Sequence, residues 1–191
     1  MLFIFIVFDF KGNTRFVADV TNSRIQQFDK TTGEFAGWIG SGGVQAQKWT
    51  RIPATSYARA GIDDYSFGTT DNAWANIAIN GTSLFVPDIT FHRIKRHNLK
   101  DGSIVGYIGQ ISVFPPVGPE TCVGYTSGMT PDWCTGGGRT TNGSGIHGYQ
   151  NPYGIAADST YTYIVNNANE RIDRVRITDA VYMGWIGRVS T

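Results

Sequence analysis

One 25-residue pattern is written three times in this chain. It reads "FVADVTNSRIQQFDKTTGEFAGWIG" from Phe16, "FVPDITFHRIKRHNLKDGSIVGYIG" from Phe85 and "YIVNNANERIDRVRITDAVYMGWIG" from Tyr163. Aligning Gly12 with Gly81 lets the first two copies run 29 residues without a gap, with eleven identities: Gly12, Phe16, Val17, Asp19, Thr21, Arg24, Ile25, Gly33, Gly37, Ile39, Gly40 and their partners. Ordinary residue frequencies would give about two. The third copy, Ser159 to Gly187, keeps Arg171, Ile172, Gly184, Ile186 and Gly187. A true internal repeat means a stack of similar units, each burying apolar surface against its neighbours.

Local signals make each unit a set of strands. "RFVAD", "RIQQFD" and "EFAGWIG" are short β-branched and aromatic runs, separated by the turns "VTNS" and "KTTG". One more strand lies upstream in register: "FIVFDF", "AWANIAIN" and "NPYGIAAD". No window shows sustained helical spacing of apolar residues. With 24 glycines and 13% aromatics, the fold class predicted is all-β: three units of four short antiparallel strands, the make-up of propeller blades.

The motifs Pro-x-Gly-Ile-Ala-x-Asp, Asn-x-Arg-Ile and Gly-x-Ile-Gly resemble NHL repeats, which build β-propellers. The resemblance covers about three blades of roughly 36 residues, over half the chain. It divides the chain into blade 1 (1–40), an insertion (41–73), blade 2 (74–109), a Gly/Pro-rich insertion (110–151) and blade 3 (152–191). In the second copy, Phe91 replaces the turn Asn and Pro87 interrupts the strand. Copies are 69 and then 78 residues apart, whereas NHL repeats usually recur at a little over forty. Both insertions read as loops projecting from one sheet edge. Propellers typically close with four to eight blades, so three leave the array incomplete. The expectation is completion by further blades of a longer chain or by oligomerisation. The apolar first and last strands, "FIFIVF" and "VYMGWIG", predict a head-to-tail contact giving a ring or a filament.

Bulk properties narrow the partners. A net charge of +1 gives no general attraction to nucleic acid. Arg93-Ile94-Lys95-Arg96 and Arg171–Arg176 alternate like strand faces and lack a stacking platform, so no nucleic-acid partner is expected. The opening "MLFIFIVF" is too short to span a bilayer and lacks a basic flank and cleavage site, so no membrane insertion is expected.

Several residues are candidates for a site. Asp19 and Arg24 recur as Asp88 and Arg93, then as Asn166 and Arg171, on either side of one hairpin turn. Recurrence in every copy makes these structural pairs, with Asn166 an uncharged acceptor for Arg171. Trp38, Tyr107 and Trp185 share one register position, which predicts burial between blades. Cys122 and Cys134, both in the second insertion, predict a disulfide and thus an oxidising, extracellular or cell-surface location. His92, His97 and His147 show no metal-ligand spacing, and His97 aligns with the packing residues Phe28 and Val175. No cofactor is expected; Asp63-Asp64 and Asp71-Asn72 offer oxygens that suit calcium, without EF-hand spacing. "CTGGGRTTNGSG" lacks the ending of a phosphate loop, and Asn80-Gly-Thr and Asn142-Gly-Ser match glycosylation sequons while also being turn dipeptides.

The function expected is therefore non-enzymatic: an extracellular structural and binding module of NHL type, self-assembling or contacting other proteins through its loops. The alternative is a fragment of a complete NHL propeller enzyme, of lyase or hydrolase type, with a metal in its channel.

Overall fold

The computed structural model describes residues 7–40, 46–51, 67, 76–111, 128–135, 140–146 and 148–187. They form three antiparallel sheets, one per copy of the repeat. The first is β1 (Val7–Lys11), β2 (Thr14–Asp19), β3 (Arg24–Asp29) and β4 (Phe35–Gly40), in that order, with β5 (Ala46–Thr50) on its outer edge. The second is β6 (Ala78–Asn80), β7 (Ser83–Asp88), β8 (Arg93–Asn98) and β9 (Ile104–Ile111), joined at β9 by β10 (Gly128–Met129) and β11 (Thr140–Thr141). The third is β12 (Pro152–Ala157), β13 (Tyr161–Asn166), β14 (Arg171–Arg176) and β15 (Tyr182–Gly187). Each sheet is a propeller-type blade in which sequential strands are neighbours. The innermost strands meet, β1 against β6 and β12 against β6 and β7. Asn76 ties two of these blades together, giving a hydrogen bond to the Ile155 carbonyl and taking one from its amide, both at 2.7 Å.

The same local devices shape every blade. A left-handed residue closes the β2–β3, β7–β8 and β13–β14 turns: Ser23, His92 and Glu170, with φ of 51°, 50° and 50°. Its carbonyl packs on the last glycine of the Gly-x-Ile-Gly run in the fourth strand. A Cβ on Gly40, Gly109 or Gly187 would lie 2.8, 3.0 or 2.4 Å from that oxygen. This explains the closing Gly-x-Ile-Gly: only a residue without Cβ admits the turn that holds the blade's outer end.

Two cores lie between the blades. Phe16, Ala18, Ile25 and Ile39 of blade 1 pack with Ile77, Leu84, Val86 and Leu99 of blade 2. Phe85, Ile94 and Ile108 of blade 2 pack with Ile155, Ile164, Val175 and Ile177 of blade 3. Each blade thus has a front face toward the next blade and a back face toward the preceding one. The alternation of side chains along each strand supplies both from one sequence.

The insertions differ from the projecting loops expected of them. Their described parts run along the outer strands, as β5 on β4 and as β10 and β11 on β9, with Tyr107 also paired to Cys134. An outer strand has unpaired backbone groups, and the adjoining chain satisfies them. Each insertion also sends a tryptophan forward. Trp49 donates its indole N–H to the Leu99 carbonyl at 3.0 Å, and Trp133 donates to the Ile177 carbonyl at 2.9 Å. Leu99 and Ile177 occupy the same repeat position in successive blades, so one staple is made twice.

Replacing Gly109 with Ala should force the His92 turn to shift, at a cost of about 1–3 kcal/mol, the range for overpacking. Urea unfolding of the variant checks this, and an unchanged midpoint would contradict the contact.

Candidate functional site

The repeated polar pairs sit at the turn on the back face of each blade. Asp19 faces Arg24, Asp88 faces Arg93 and Asn166 faces Arg171 as directly paired residues. In blade 1, Arg24 Nε meets Asp19 at 2.7 Å, and Asn22 also donates to the carboxylate. In blade 2, Arg93 Nε meets Asp88 at 3.1 Å and Lys95 Nζ lies 4.0 Å away, all three side chains fully buried. Phe91, where the other copies have Asn, places its ring 5.2 Å from the Arg93 guanidinium.

In blade 3 the pairing differs from the expected acceptance by Asn166. Arg171 Nε meets Asp173 at 2.8 Å, and its remaining nitrogens donate to the carbonyls of Ser144, Gly145 and Gly148. Asn166 instead donates to Asp173 at 2.8 Å, and the Tyr182 hydroxyl donates to the same carboxylate at 3.0 Å. The acid has moved across the turn, from the end of β13 to β14, two residues beyond Arg171. Period-2 alternation keeps it on the same face.

Trp38, Tyr107 and Trp185 also lie on back faces, in the rows Val17–Gln26–Trp38, Val86–Lys95–Tyr107 and Ile164–Asp173–Trp185. Trp38 and Tyr107 are buried, at 2% and 0% exposure, but Trp185 is 43% exposed, against expectation. The reason is the edge. Gly106, next to Tyr107, lies against Trp133 and Cys134, and Gly37, next to Trp38, lies against Thr50. The equivalent Gly184 has nothing within 4 Å among the described residues.

His97 is wholly buried, 5.6 Å from the Phe67 ring, with Nδ1 3.1 Å from the Gly102 carbonyl. Burial pushes its pKa down to about 3, aided by nearby Lys95 and Arg93 and opposed by the Gly102 carbonyl. His92 is the left-handed turn residue, and its pKa is also lowered, chiefly by burial. His147, Cys122, Asp63, Asp64, Asp71 and Asn72 lie outside the described residues. Among the described residues no three His, Cys, Asp or Glu side chains come together to hold a metal, and no helix is long and apolar enough to cross a membrane. The Asn80 side chain donates to the Asp158 carbonyl, while Asn142 is exposed.

One surface stands apart. Across each front face runs a row of three paired residues: Ala18–Ile25–Ile39, Pro87–Ile94–Ile108 and Val165–Ile172–Ile186. The first two rows are buried. In the third, Val165, Ile172 and Ile186 are 39%, 37% and 71% exposed. They floor an open groove of about 380 Å³, with Asn167, Glu170 and Arg171 around it. Alignment of the copies would have located this row, since the same positions are apolar in all three. Nothing in the third copy itself marks it as uncovered.

No protein-family model matches this chain, and no curated protein does. Solved structures with similar backbones include U3-55K and the WD40 repeats of RRP9. Each is 12% identical with a TM-score of 0.49, over 92% of this chain and 36% of that one. BamB from Moraxella catarrhalis is 11% identical with a TM-score of 0.44, over 95% of this chain and 35% of its own. The chain therefore spans about a third of the length of these structures. Its blade fold rests on the strand order itself.

The His97 shift has a consequence for stability. The imidazole is neutral when folded and takes a proton near pH 6.5 when unfolded, so its contribution is full above that pH and is lost as pH falls toward 3. Between pH 6.5 and 5 this residue should remove about 2 kcal/mol, at about 1.4 kcal/mol per unit. Urea unfolding at the two pH values should show that loss, and His97→Phe should lack it. An equal slope in both proteins would contradict a neutral buried imidazole.

Proposed function

We propose that this chain is a non-enzymatic structural and binding module of NHL-repeat type, working outside the cell or at its surface through protein–protein contacts. The observation that carries the reading is the uncovered row Val165–Ile172–Ile186. Two copies of that row are buried between blades, so the third is a blade-docking surface by construction. Burying an aliphatic side chain of this kind stabilises by about 1.5–3 kcal/mol, and clustered exposed apolar residues mark interaction sites. The NHL assignment is supported by the closing glycine, which meets the turn carbonyl in every blade.

The extracellular part of the proposal rests on the cysteines. Cys134 is buried against Tyr107, and its proposed partner Cys122 lies outside the described residues. Alkylation of the unreduced, denatured protein should add no thiol adduct to its intact mass. Two adducts would remove this support for an oxidising compartment.

A photoreactive benzophenone residue in place of Val165 tests the binding role. Irradiation of the protein in its native setting should join it to another polypeptide. If it gives only solvent-quenched monomer, the face is not a contact and the reading fails.

A further inference from the structure

Resting on that reading, we infer that the occupant of the third blade's front face is the back face of the first blade in a second copy of this chain. The two interfaces inside the molecule define what such a face accepts. In both, the front row meets apolar residues at fixed repeat positions of the following blade. Blade 2 presents Val86 and Leu99 there, and blade 3 presents Ile164, Val175 and Ile177. In blade 1 the residues equivalent to Ile164 and Val175 are Val17 and Phe28, while the exposed Lys30 stands at the position of Leu99 and Ile177. Both are only half-buried, whereas their counterparts in the other blades are fully buried.

The polar residues of the same face agree. The turn carboxylate of blade 2 and its arginine are fully inaccessible, at 0% each, and the Arg171–Asp173 pair of blade 3 stands at 10% and 0%. The equivalent Arg24 and Asp19 are 23% and 19% exposed. Blades 2 and 3 have a preceding front face against them. The insertion ahead of each blade adds to this cover, the Phe67 ring lying 4.9 Å from Lys95 Nζ and the Ser144, Gly145 and Gly148 carbonyls accepting from Arg171. Blade 1 carries the same pair, made to the same plan, less deeply covered. Seating Val165, Ile172 and Ile186 of one copy against Val17 and Phe28 of the next would bring the third interface to the state of the other two.

Because the front and back faces bear different residues, the contact is heterologous and leaves one free face at each end of a pair. That asymmetry gives a decisive experiment. Ile186→Glu disables the front face at its most exposed position, and Phe28→Asp disables the back face. If circular dichroism shows Phe28→Asp to be unfolded, Arg15→Asp, at an exposed position on the same face, replaces it.

Sedimentation velocity of the unmodified chain should show a mass rising with concentration above 20.9 kDa, with each variant held at 20.9 kDa. Each variant retains one good face, so mixing the two should restore a species of twice that mass and nothing larger. A mixture that stays monomeric would mean no such contact, and a Phe28→Asp variant that dimerises by itself would mean a front-to-front one; either overturns the inference. So does an unmodified chain that stays at 20.9 kDa at high concentration. If that monomer nevertheless crosslinks through position 165 to a different protein, the binding module stands and self-docking falls. If it crosslinks to nothing, both fall.

Discussion

The architecture depends on one constraint: a four-stranded sheet of this sequence is apolar on both faces, and water can be kept from them only by other sheets. Ile25 and Ile39 on blade 1, and Ile94 and Ile108 on blade 2, reach zero exposure because the following blade lies on them. Hydrogen bonding within a blade does nothing to help, since the ladders are satisfied edge to edge while the faces stay bare. The polar inventory is arranged around that fact. The Asp88–Arg93–Lys95 group is fully buried, a placement that is costly to desolvate and weak as a source of net stability. Its value lies in position. It pairs the two residues that flank the hairpin turn whose carbonyl lies against Gly109.

Much of this was legible because it repeats. Strand number, strand order, the turn positions and the isoleucines of the front rows each occur three times, so chance resemblance is averaged away. What occurs once was not legible. The strand β5 and the short strands β10 and β11 lie in glycine-rich segments whose composition reads as loop, and their pairing is set by an outer edge that needs partners. The shift of the acid from the turn to Asp173 was written in the sequence, two residues from Arg171 on the same face of one strand. It was obscured by aligning Asn166 with Asp19 and Asp88. Trp185 shows the limit most clearly. Its register is that of Trp38 and Tyr107, yet burial belongs to the neighbourhood, and the slot beside Gly184 has no occupant among the described residues.

The tryptophan staples give the chain a direction in time. Each indole precedes its acceptor in the sequence, Trp49 by 50 residues and Trp133 by 44. At a synthesis rate of about 5–20 residues per second, the donor waits roughly 2–10 s for the carbonyl it will bind. During that interval the front of each newly made blade is wet, and its adjoining insertion is only half-anchored. The length of each insertion therefore sets how long a newly made front face waits for its staple.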